Sequence, residues 1–312
     1  MAGAKHIDVL GLGCAAVDDI LYVEQYPRAD AKVRVLRRER HCGGLTATAL
    51  VAAARLGAKC AFAGTLGFDE DSEFALQTMA SEGVDTRHVI HRAGAGPVRS
   101  AIIVDEQRRT RNVFAYVEEV RGADATRPAR AVIEAARVLF IDHFGIPGNI
   151  RAARMARRAG IPIVSDFENS DAPRFRELLA LVNHPICSQR MAEVLTGERQ
   201  PARAAVQLWD EQRDTVVVTC GARGAWFVSG EQRRPMHVPA LRVAAADTTG
   251  CGDVFHGAYA AALARGLAAE KRIRFASAAA AIKATRHGGQ QGIPSLRFVE
   301  RSLRASGNWR RG

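Results

Sequence analysis

The sequence predicts an α/β fold, a three-layer sandwich with a mainly parallel central sheet and a small β-sheet lid. The first observation is a regular alternation of apolar runs with helical patterns beyond residue 130, as at 138–142, 161–167 and 215–221. Continuous β-branched runs between helices indicate parallel strands that are buried on both faces. The second observation is a pair of period-two stretches, 19–38 and 98–117, which predict strands with one exposed face. Because the two stretches share this pattern, we expect them to pair into a small separate sheet.

Length and composition favour one large folded unit. The chain has 312 residues, of which 47% are hydrophobic and 25% are charged, and this is the balance of an ordinary globular protein. Single cores stop growing at about 250–300 residues. We therefore predict one domain, 1–312, whose lid subdomain is formed from about 14–42 and 97–118.

The charge of the chain could indicate a nucleic-acid partner or an anionic substrate, because the formal net charge is +11. However, the basic residues are scattered, only five of them are lysine, and the densest group, 34–40, alternates like an exposed strand. We expect no nucleic-acid partner. No apolar run approaches the ~18 residues needed to cross a bilayer, and residues 1–13 lack the features of a signal peptide. We therefore expect no membrane contact, a cytoplasmic location and six reduced cysteines.

Within the first 120 residues, the patterns predict strands and helices in alternation. Strands are predicted at 7–13, 19–24, 33–38 and 60–67, with two more inside 88–117. Helices are predicted at 45–57 and 69–83, because each segment has helical spacing and ends at a glycine.

Beyond residue 120, the same reasoning predicts a helix-rich region around buried strands. The predicted strands are 138–142, 161–167, 184–188 and 215–221, with a strand pair near 225–239. The predicted helices are 128–136, 149–159, 173–181, 189–196, 202–213, 252–265 and 270–286, with a short helix at the C-terminus.

The most informative segment is the loop DTTGCGD at 247–253, which runs directly into an alanine-rich helix. The free N–H groups of Gly250, Cys251 and Gly252 are then expected to point at one place. A helix start of this kind binds phosphate, because the free donors and the helix dipole both favour an anion. Asp253 follows in the first turn, where a bound phosphate would repel it. The residues alone leave two roles for this carboxylate, a plain helix cap or a group that takes part in chemistry.

Three glycine-containing motifs follow one another along the chain. They are GGLTATALVAAARLG at 43–57, VTCGARG at 218–224 and DTTGCGDVFHGAYAAAL at 247–263. The first and third resemble the N-terminal and C-terminal signatures of the ribokinase (PfkB-type) family of carbohydrate kinases. The second is similar to the family's nucleotide loop, T-x-G-x-x-G. The order is that of the family, and the resemblance extends from residue 7 to about residue 300.

The resemblance implies a ribokinase-like fold and an ATP-dependent kinase that phosphorylates a hydroxyl of a sugar or a sugar-like alcohol. In the family's pattern Asp253 is the catalytic base that takes the proton of the attacking hydroxyl. The N–H groups of Gly250, Cys251 and Gly252 then form the anion hole for the transferred phosphoryl group. Such a pair is chemically sufficient, because phosphoryl transfer needs positioning and charge stabilisation more than covalent help.

The resemblance also implies two sets of binding residues. The implied sugar-binding residues are Asp18, Gly43, Gly44 and Thr48. The implied nucleotide-binding residues are Ser188, Thr219, Gly221 and Gly224.

The implied cofactor is ATP with Mg2+, but one departure from the family leaves the magnesium ligands open. Residues 188–191 read Ser-Gln-Arg-Met, where ribokinases have N-x-x-E. Asp166, at the end of a predicted central strand, is a candidate for holding metal or phosphate through water, since open parallel sheets bind ligands there. Asp247 and Thr249, with the loop 283–292, match a monovalent-cation site of ribokinases, for which K+ is the candidate ion.

The acceptor is expected to be a ketose-like sugar or sugar derivative rather than ribose. Ala16, Leu45 and Thr48 stand where ribose-binding members have other, polar residues, and the run 18–27 resembles the branch of ketohexokinase and sulfofructose kinase. The alternatives are a nucleoside kinase of the same family and a catalytically silent regulator that binds sugar or nucleotide. We also expect a homodimer that forms through the lid.

Other polar side chains near the motifs have two readings each. His143 and His256 are candidates for substrate contact or for a structural role. Cys251 stands where the family usually has Ala. A thiol beside the N–H groups of a helix start is expected to have a lowered pKa and raised reactivity, unless it is only a small side chain that fits.

Overall fold

The computed structural model describes residues 5–108 and 110–305. The strands are β1 (Ile7–Leu12), β2 (Ala16–Val23), β3 (Arg37–Gly43), β4 (Cys60–Phe62), β5 (Gly64–Leu66), β6 (Val84–Asp85), β7 (Ile90–His91), β8 (Val98–Asp105), β9 (Thr110–Tyr116), β10 (Gly122–Ala123), β11 (Ala136–Asp142), β12 (Ile163–Asp166), β13 (His184–Ser188), β14 (Thr215–Thr219), β15 (Ala225–Ser229) and β16 (Gln232–Val238). The helices are α1 (Leu45–Arg55), α2 (Glu70–Ser81), α3 (Arg130–Glu134), α4 (Ile146–Arg158), α5 (Phe175–Leu181), α6 (Gln189–Thr196), α7 (Pro201–Leu208), α8 (Cys251–Ala264), α9 (Ala269–Ala284) and α10 (Leu296–Ala305).

The central sheet has nine strands in the order β16-β15-β14-β13-β12-β11-β1-β4-β6. The pairs from β14 to β6 are parallel, and only β15 and β16 run antiparallel to their neighbours. The carboxyl ends of β1, β11, β12, β13 and β14 therefore lie at one edge, where open parallel sheets bind their ligands. This arrangement confirms the predicted parallel sheet.

Helices cover both faces of the sheet, and each face has its own core. On one side α1, α8 and α9 pack together, with Leu50, Tyr259 and Phe275 buried between them. On the other side the core contains side chains of α4, α5, α6 and α7. A Cβ atom on Gly257 would lie 2.0 Å from the carbonyl oxygen of Ala49, so the close crossing of α1 and α8 depends on glycine. The three layers confirm the predicted fold class.

A second sheet of four strands, in the order β3-β2-β8-β9, forms the small separate sheet. Strand β2 pairs in parallel with β8, from Ala16 opposite Val98 to Val23 opposite Asp105. The outer strands β3 and β9 are antiparallel to their neighbours. The expected pairing of the two period-two stretches is therefore present. The single-domain division and the lid bounds 14–42 and 97–118 stay predictions.

Three predicted elements differ from the structure. The strand expected at 33–38 lies further along the chain, at Arg37–Gly43, and is β3. It is an edge strand of the small sheet, is rich in charged residues and pairs with β2. The single strand expected at 60–67 divides at Ala63, so that β4 joins the central sheet while β5 joins a third sheet with β7 and β10. The helix expected at 202–213 ends at Leu208, because residues 209–213 form a turn in which Asp210 accepts a hydrogen bond from the Gln212 N–H.

Candidate active site

The start of α8 is built to expose backbone donors. Gly250 precedes the helix with φ of 71°, a left-handed conformation that favours glycine. Gly252 is exposed, and a Cβ atom placed on it would meet nothing within 4 Å. The first-turn N–H groups of a helix have no carbonyl partner within the helix. Among the described residues, the N–H groups of Gly250 and Gly252 have no backbone acceptor, whereas that of Cys251 donates to the carbonyl oxygen of Thr248 at 3.2 Å. Gly250 and Gly252 therefore leave this turn able to accept an anion.

Two cavities meet at this helix start. One has a volume of about 650 Å³ and is lined by Cys251 and Gly252 together with Thr219, Gly221 and Gly224. The other has a volume of about 790 Å³ and is lined by Gly250 and Asp253 together with Asp18, Gly43, Gly44 and Thr48. The predicted anion-hole residues thus lie between the predicted sugar-binding residues and Thr219, Gly221 and Gly224 of the predicted nucleotide-binding residues.

The first cavity lies beside the turn that follows β14. Gly221 and Gly224 have φ of 56° and 90°, and a Cβ atom on Gly224 would lie 2.1 Å from the carbonyl oxygen of Val238. A side chain is therefore excluded at Gly224, and Gly221, Ala222 and Gly224 border the cavity. Ser188 is not part of this cavity. It lines a separate groove with Glu168, and its Oγ accepts a hydrogen bond from the Met191 N–H at 3.1 Å, which caps α6.

The second cavity lies between the small sheet and the central sheet. The carboxylate of Asp18 faces Gly43, where a Cβ atom would lie only 2.9 Å from its Oδ2. Burial raises the pKa of Asp18, while Ser100 and His41 lower it. Thr48 is buried, and its Oγ1 accepts a hydrogen bond from the Gln290 Nε2 at 3.3 Å. Asp18 and Asp105 are both carboxylates of the small sheet that line this cavity together with Asp253. The oxygens of Asp105 accept hydrogen bonds from the Tyr26 and Arg108 N–H groups, so Asp18 is the better candidate for binding an acceptor.

Asp253 stands in the first turn of α8 in a strongly acidic environment. Burial raises the pKa of Asp253 well above the ordinary carboxyl range, and the neighbouring Asp166 and Glu168 raise it further, while His256 opposes them. A carboxylate with a raised pKa is a stronger base once it is ionised. These surroundings suit a group that must accept a proton from a hydroxyl.

Asp142, at the end of β11, is a buried carboxylate that the sequence reasoning missed. Its Oδ2 accepts hydrogen bonds from the Cys14 N–H and the Thr46 hydroxyl, both at 2.8 Å, and its Oδ1 accepts one from the Phe144 N–H at 2.8 Å. These donors belong to the segments that follow β1 and β11 and to the start of α1, so Asp142 holds the ends of the two strands together. Its position at the carboxyl end of a buried strand was the signal available in the sequence.

His256 links α8 to the central sheet. Its Nδ1 lies 2.7 Å from the carbonyl oxygen of Gly252, and its Nε2 lies 3.2 Å from that of Ile186. Burial lowers the pKa of His256, and both carbonyl groups oppose this. Nδ1 also lies 3.2 Å from Oδ2 of Asp166. The structure therefore supports the structural reading of His256, as an anchor of the first helical turn. His143 lies beside Phe144, and its Nδ1 accepts a hydrogen bond from the Glu168 N–H at 3.4 Å.

Replacing His256 with Phe is expected to lower the free energy of unfolding by about 2 kcal/mol, because the buried carbonyl group that accepts the N–H of the neutral imidazole loses its partner. Urea unfolding measures the change. His287 is exposed and supplies the control, since His287→Phe is expected to change stability by less than about 0.5 kcal/mol. Equal losses in the two variants would contradict the anchoring role.

The expectation of a lowered thiol pKa at Cys251 is wrong. Burial raises the pKa of Cys251, and Asp247 and Asp253 raise it further, although Lys283 lowers it. The thiol lies 3.5 Å from the carbonyl oxygen of Ala280 and donates to it. The effects of burial and of the two carboxylates on the pKa of Cys251 are therefore larger than the opposite effect expected of the helix start.

Alkylation of Cys251 by iodoacetamide is expected to be slower than that of free cysteine at every pH, because only the thiolate reacts. The rate should rise with pH and reach half of its maximum above the value of ~8.5 for a free thiol. Mass spectrometry of the modified peptide measures the rate, with free cysteine in the same tube as the control. A midpoint below that of free cysteine would contradict the raised pKa.

Asp247 closes the loop that carries these residues. Its Oδ1 accepts a hydrogen bond from the Thr249 N–H at 2.8 Å, and its Oδ2 accepts one from the Gly288 N–H at 3.0 Å. Although burial raises the pKa of Asp247, these bonds and the charge of Lys283 lower it below the ordinary value. The carboxylate therefore fixes the start of α8 against the turn that follows α9.

Within residues 5–108 and 110–305, no group of three or more His, Cys, Asp and Glu side chains is arranged to hold a metal ion. None of the helices described is long and apolar enough to span a bilayer.

Comparison with known proteins gives consistent matches over almost the whole chain. The family model for pfkB family carbohydrate kinases matches residues 5–296. A ribokinase of Haemophilus influenzae is 30% identical over 300 residues, which cover 93% of this chain and 97% of that protein. A crystal structure from Agrobacterium tumefaciens, provisionally assigned as a ribokinase, superposes with a TM-score of 0.88 at 26% identity and covers 99% of this chain and 100% of the other. Arabidopsis thaliana ribokinase, solved with ribose and ATP, has a TM-score of 0.83 at 22% identity over 95% and 98% of the two chains.

Proposed function

The chain belongs to the pfkB family of carbohydrate kinases, and from that premise we propose that it transfers the γ-phosphoryl group of ATP to a hydroxyl of a ketose-like sugar or sugar derivative. It is an ATP-dependent sugar kinase, a phosphotransferase with an alcohol group as acceptor. Two features support the finer assignment: the helix start between the cavities, and the side chains that line the acceptor cavity.

One observation carries the proposal: a single helix start separates the two cavities. Cys251 and Gly252 border the cavity that contains the glycine turn of 221–224, whereas Gly250 and Asp253 border the cavity that contains Asp18. A phosphoryl group that passes from a nucleotide in one cavity to an acceptor in the other would cross this turn, where the N–H groups of Gly250 and Gly252 have no backbone acceptor among the described residues. Donors that already point at the position of developing charge stabilise the transition state.

Each residue then has a defined task. Asp18 would accept hydrogen bonds from sugar hydroxyls and so orient the acceptor. Asp253 would take the proton from the attacking hydroxyl, and its acidic surroundings raise its pKa toward a useful value for a base. The N–H groups of Gly250 and Gly252 would hold the transferred phosphoryl group, and that of Cys251 would join them by leaving the carbonyl oxygen of Thr248. Thr219, Gly221 and Gly224 would bind the nucleotide through the turn after β14.

Ser188 differs from the other proposed nucleotide contacts, since its side chain caps α6 in a neighbouring groove. We keep it as a proposed nucleotide contact, because β13 and β14, which carry Ser188 and Thr219 at their ends, are adjacent and place these residues opposite each other.

Mg2+ would enter with ATP, and two carboxylates fit it. Oδ2 of Asp166 is buried and makes no hydrogen bond among the described residues, although Nδ1 of His256, which contacts the carbonyl oxygen of Gly252, lies 3.2 Å from it. Glu168 follows on the exposed side of the strand end. Mg2+ prefers oxygen ligands and keeps several of its waters, so Asp166 and Glu168 would hold it through water. When bound, the ion would offset the negative charge of the phosphates.

The lining of the acceptor cavity supports a sugar rather than a nucleoside. Among its described residues Tyr22 is the one large aromatic side chain, and it packs under the guanidinium of Arg37 at 3.7 Å. An aromatic sandwich for a base is therefore not formed by the described residues. The Thr48 hydroxyl accepts a hydrogen bond from Gln290. Thr48 stands at one of the positions where this chain differs from ribose binders, so the surface offered to the acceptor at this position differs as well. We propose a ketose as the acceptor on this basis, although the relatives named are ribokinases.

A panel of acceptors tests the proposal. ADP formation is measured with Mg2+ and ATP in the presence of fructose, other ketoses and their acidic derivatives, ribose, and nucleosides, and each product is identified by mass spectrometry. The proposal expects a phosphorylated ketose-like sugar as the best product. A preference for nucleosides, or ATP and sugar binding without any product, would support one of the two alternatives instead.

The partner proposed for the chain is a second copy, joined through the small sheet. Its edge strand β9 exposes Val113, Phe114 and Tyr116, whose exposed fractions are 53%, 55% and 48%. An exposed edge with apolar side chains is a surface on which another strand or sheet can pack. Sedimentation of the chain, compared with that of a Phe114→Lys variant, distinguishes a dimer from a monomer.

A further inference from the structure

A single lysine lies buried beneath the start of α8. Lys283 is on the last turn of α9, its exposed fraction is 0%, and its Nζ donates a hydrogen bond to the carbonyl oxygen of Asp247 at 3.0 Å. A buried ammonium group is costly unless it is paired and hydrogen-bonded. Lys283 lies in an otherwise apolar, alanine-rich turn, so nearby acceptors or negative charges must offset the cost of burying its ammonium group.

The loop of Asp247 supplies these groups. The charge of Lys283 lowers the pKa of Asp247 and also that of Cys251. Burial lowers the pKa of Lys283, while Cys251, Asp247 and Asp253 raise it and Arg111 lowers it. The ammonium group is thus within electrostatic reach of both the loop carboxylate and the base.

A monovalent cation does not fit the oxygens of Asp247 as they stand. The carbonyl oxygen is used by the ammonium group of Lys283, and the two carboxylate oxygens are used by the N–H groups of Thr249 and Gly288. In addition, the N–H groups of residues 246 and 247 both donate to the carbonyl oxygen of Ala284. A potassium ion needs several oxygens at one place, and each oxygen of Asp247 already accepts a hydrogen bond from the chain. The charge of the Lys283 ammonium group, 3.0 Å from the carbonyl oxygen of Asp247, would also repel a second cation there.

We propose that the Lys283 ammonium group is the resident cation of this loop and that the kinase does not require potassium. A charge carried by the side chain cannot dissociate, so the loop that precedes α8 would be held in place at any salt composition. Lys283 would act as a positioning residue, since it supports the loop and does not line either of the two cavities. The inference rests on the proposed function only in those experiments that measure kinase activity, and the unfolding temperature tests it independently of that function.

The first test uses the unmodified chain and two readouts. The unfolding temperature and the kinase activity are compared in potassium chloride, sodium chloride and tetramethylammonium chloride at equal ionic strength. We expect activities within about twofold of each other and unfolding temperatures that differ by less than about 2 °C, because an ion that does not bind the native state does not stabilise it. Specific activation by potassium of tenfold or more, or a rise of several degrees in its presence alone, would overturn the inference. The unfolding temperature needs no acceptor, so this result does not depend on the identity of the substrate.

The second test removes the ammonium group. Lys283→Ala is expected to lower kcat by at least about tenfold and to leave a cavity in which ammonium, methylammonium or potassium ions restore part of the activity and of the unfolding temperature. Lys271 lies on the same helix and is exposed, so Lys271→Ala is the control and should respond to none of these ions. Full activity of Lys283→Ala without any added ion would contradict the positioning role. If Lys283→Ala does not fold, the salt comparison on the unmodified chain still decides the inference.

Discussion

Replacing Asp253 with Asn is expected to lower kcat by about 10²- to 10⁴-fold, the usual contribution of a positioned proton acceptor. The amide has nearly the same shape as the carboxylate but cannot accept the proton of the attacking hydroxyl. The affinities for ATP and sugar should stay within about tenfold of their original values, and ATP binding should if anything tighten, because a negative charge next to the phosphates is removed. Initial rates at saturating ATP and sugar give kcat, and isothermal titration calorimetry gives the two affinities.

The pH profile adds an independent readout to this variant. The pKa of Asp253 is raised by burial and by Asp166 and Glu168, so the carboxylate loses its charge at a higher pH than an ordinary aspartate. In the unmodified enzyme kcat/KM should therefore fall as the pH falls through this raised pKa. The acid limb should be absent from the residual activity of Asp253→Asn. Turnover close to that of the unmodified enzyme, or an unchanged acid limb, would remove Asp253 from the role of base.

Replacing Asp18 with Ala is expected to lower kcat/KM for the acceptor by about 10- to 10²-fold or more, because hydrogen bonds to a charged group contribute about 1.5–3 kcal/mol. The Asp18 carboxylate lies in the acceptor cavity, and the glycine turn of 221–224 lies in the other one. The KM for ATP and the affinity for ATP should therefore stay unchanged. Initial rates measured at a series of sugar and ATP concentrations separate the two effects.

Asp19 supplies a closely matched control for this experiment. It follows Asp18 on β2, where successive side chains point to opposite faces of the sheet, and its Oδ1 accepts a hydrogen bond from Arg38 at 3.0 Å on the outer side. Asp19→Ala should leave both KM values within about twofold, as expected for a surface ion pair of small energetic value. Loss of ATP affinity in Asp18→Ala with intact sugar affinity would exchange the assignments of the two cavities.

Local patterns were sufficient to predict most of the fold. Buried β-branched runs identified β11 and β14, and shared period-two patterning was enough to expect the pairing of β2 with β8. The errors arose where local pattern does not carry the information. Strand β3 is an edge strand rich in charge, so its hydrophobic pattern is weak. Strands β4 and β5 read as one buried run, because both are fully buried although they belong to different sheets.

The candidate site was predictable to the extent that it follows from one contiguous motif. The loop 247–253 indicated both the anion-binding turn and Asp253, because backbone donors and the helix start are local features. Contacts between distant segments were not visible. Lys283 and Asp247 are 36 residues apart, and the raised pKa of Cys251 results from burial that no local pattern encodes. A lysine directly after the apolar run 278–282 of α9 was the available signal for the first of these.

Transfer of the label from ATP labelled at its γ-phosphate is the most direct test of the central claim, that residues 250–253 pass a phosphoryl group from a nucleotide in one cavity to an acceptor in the other. In the presence of the best ketose from the acceptor panel, the label should appear on the sugar in one-to-one proportion with ADP, and this transfer should be lost in Asp253→Asn. Release of the label only as inorganic phosphate at the same rate with and without sugar would contradict the account.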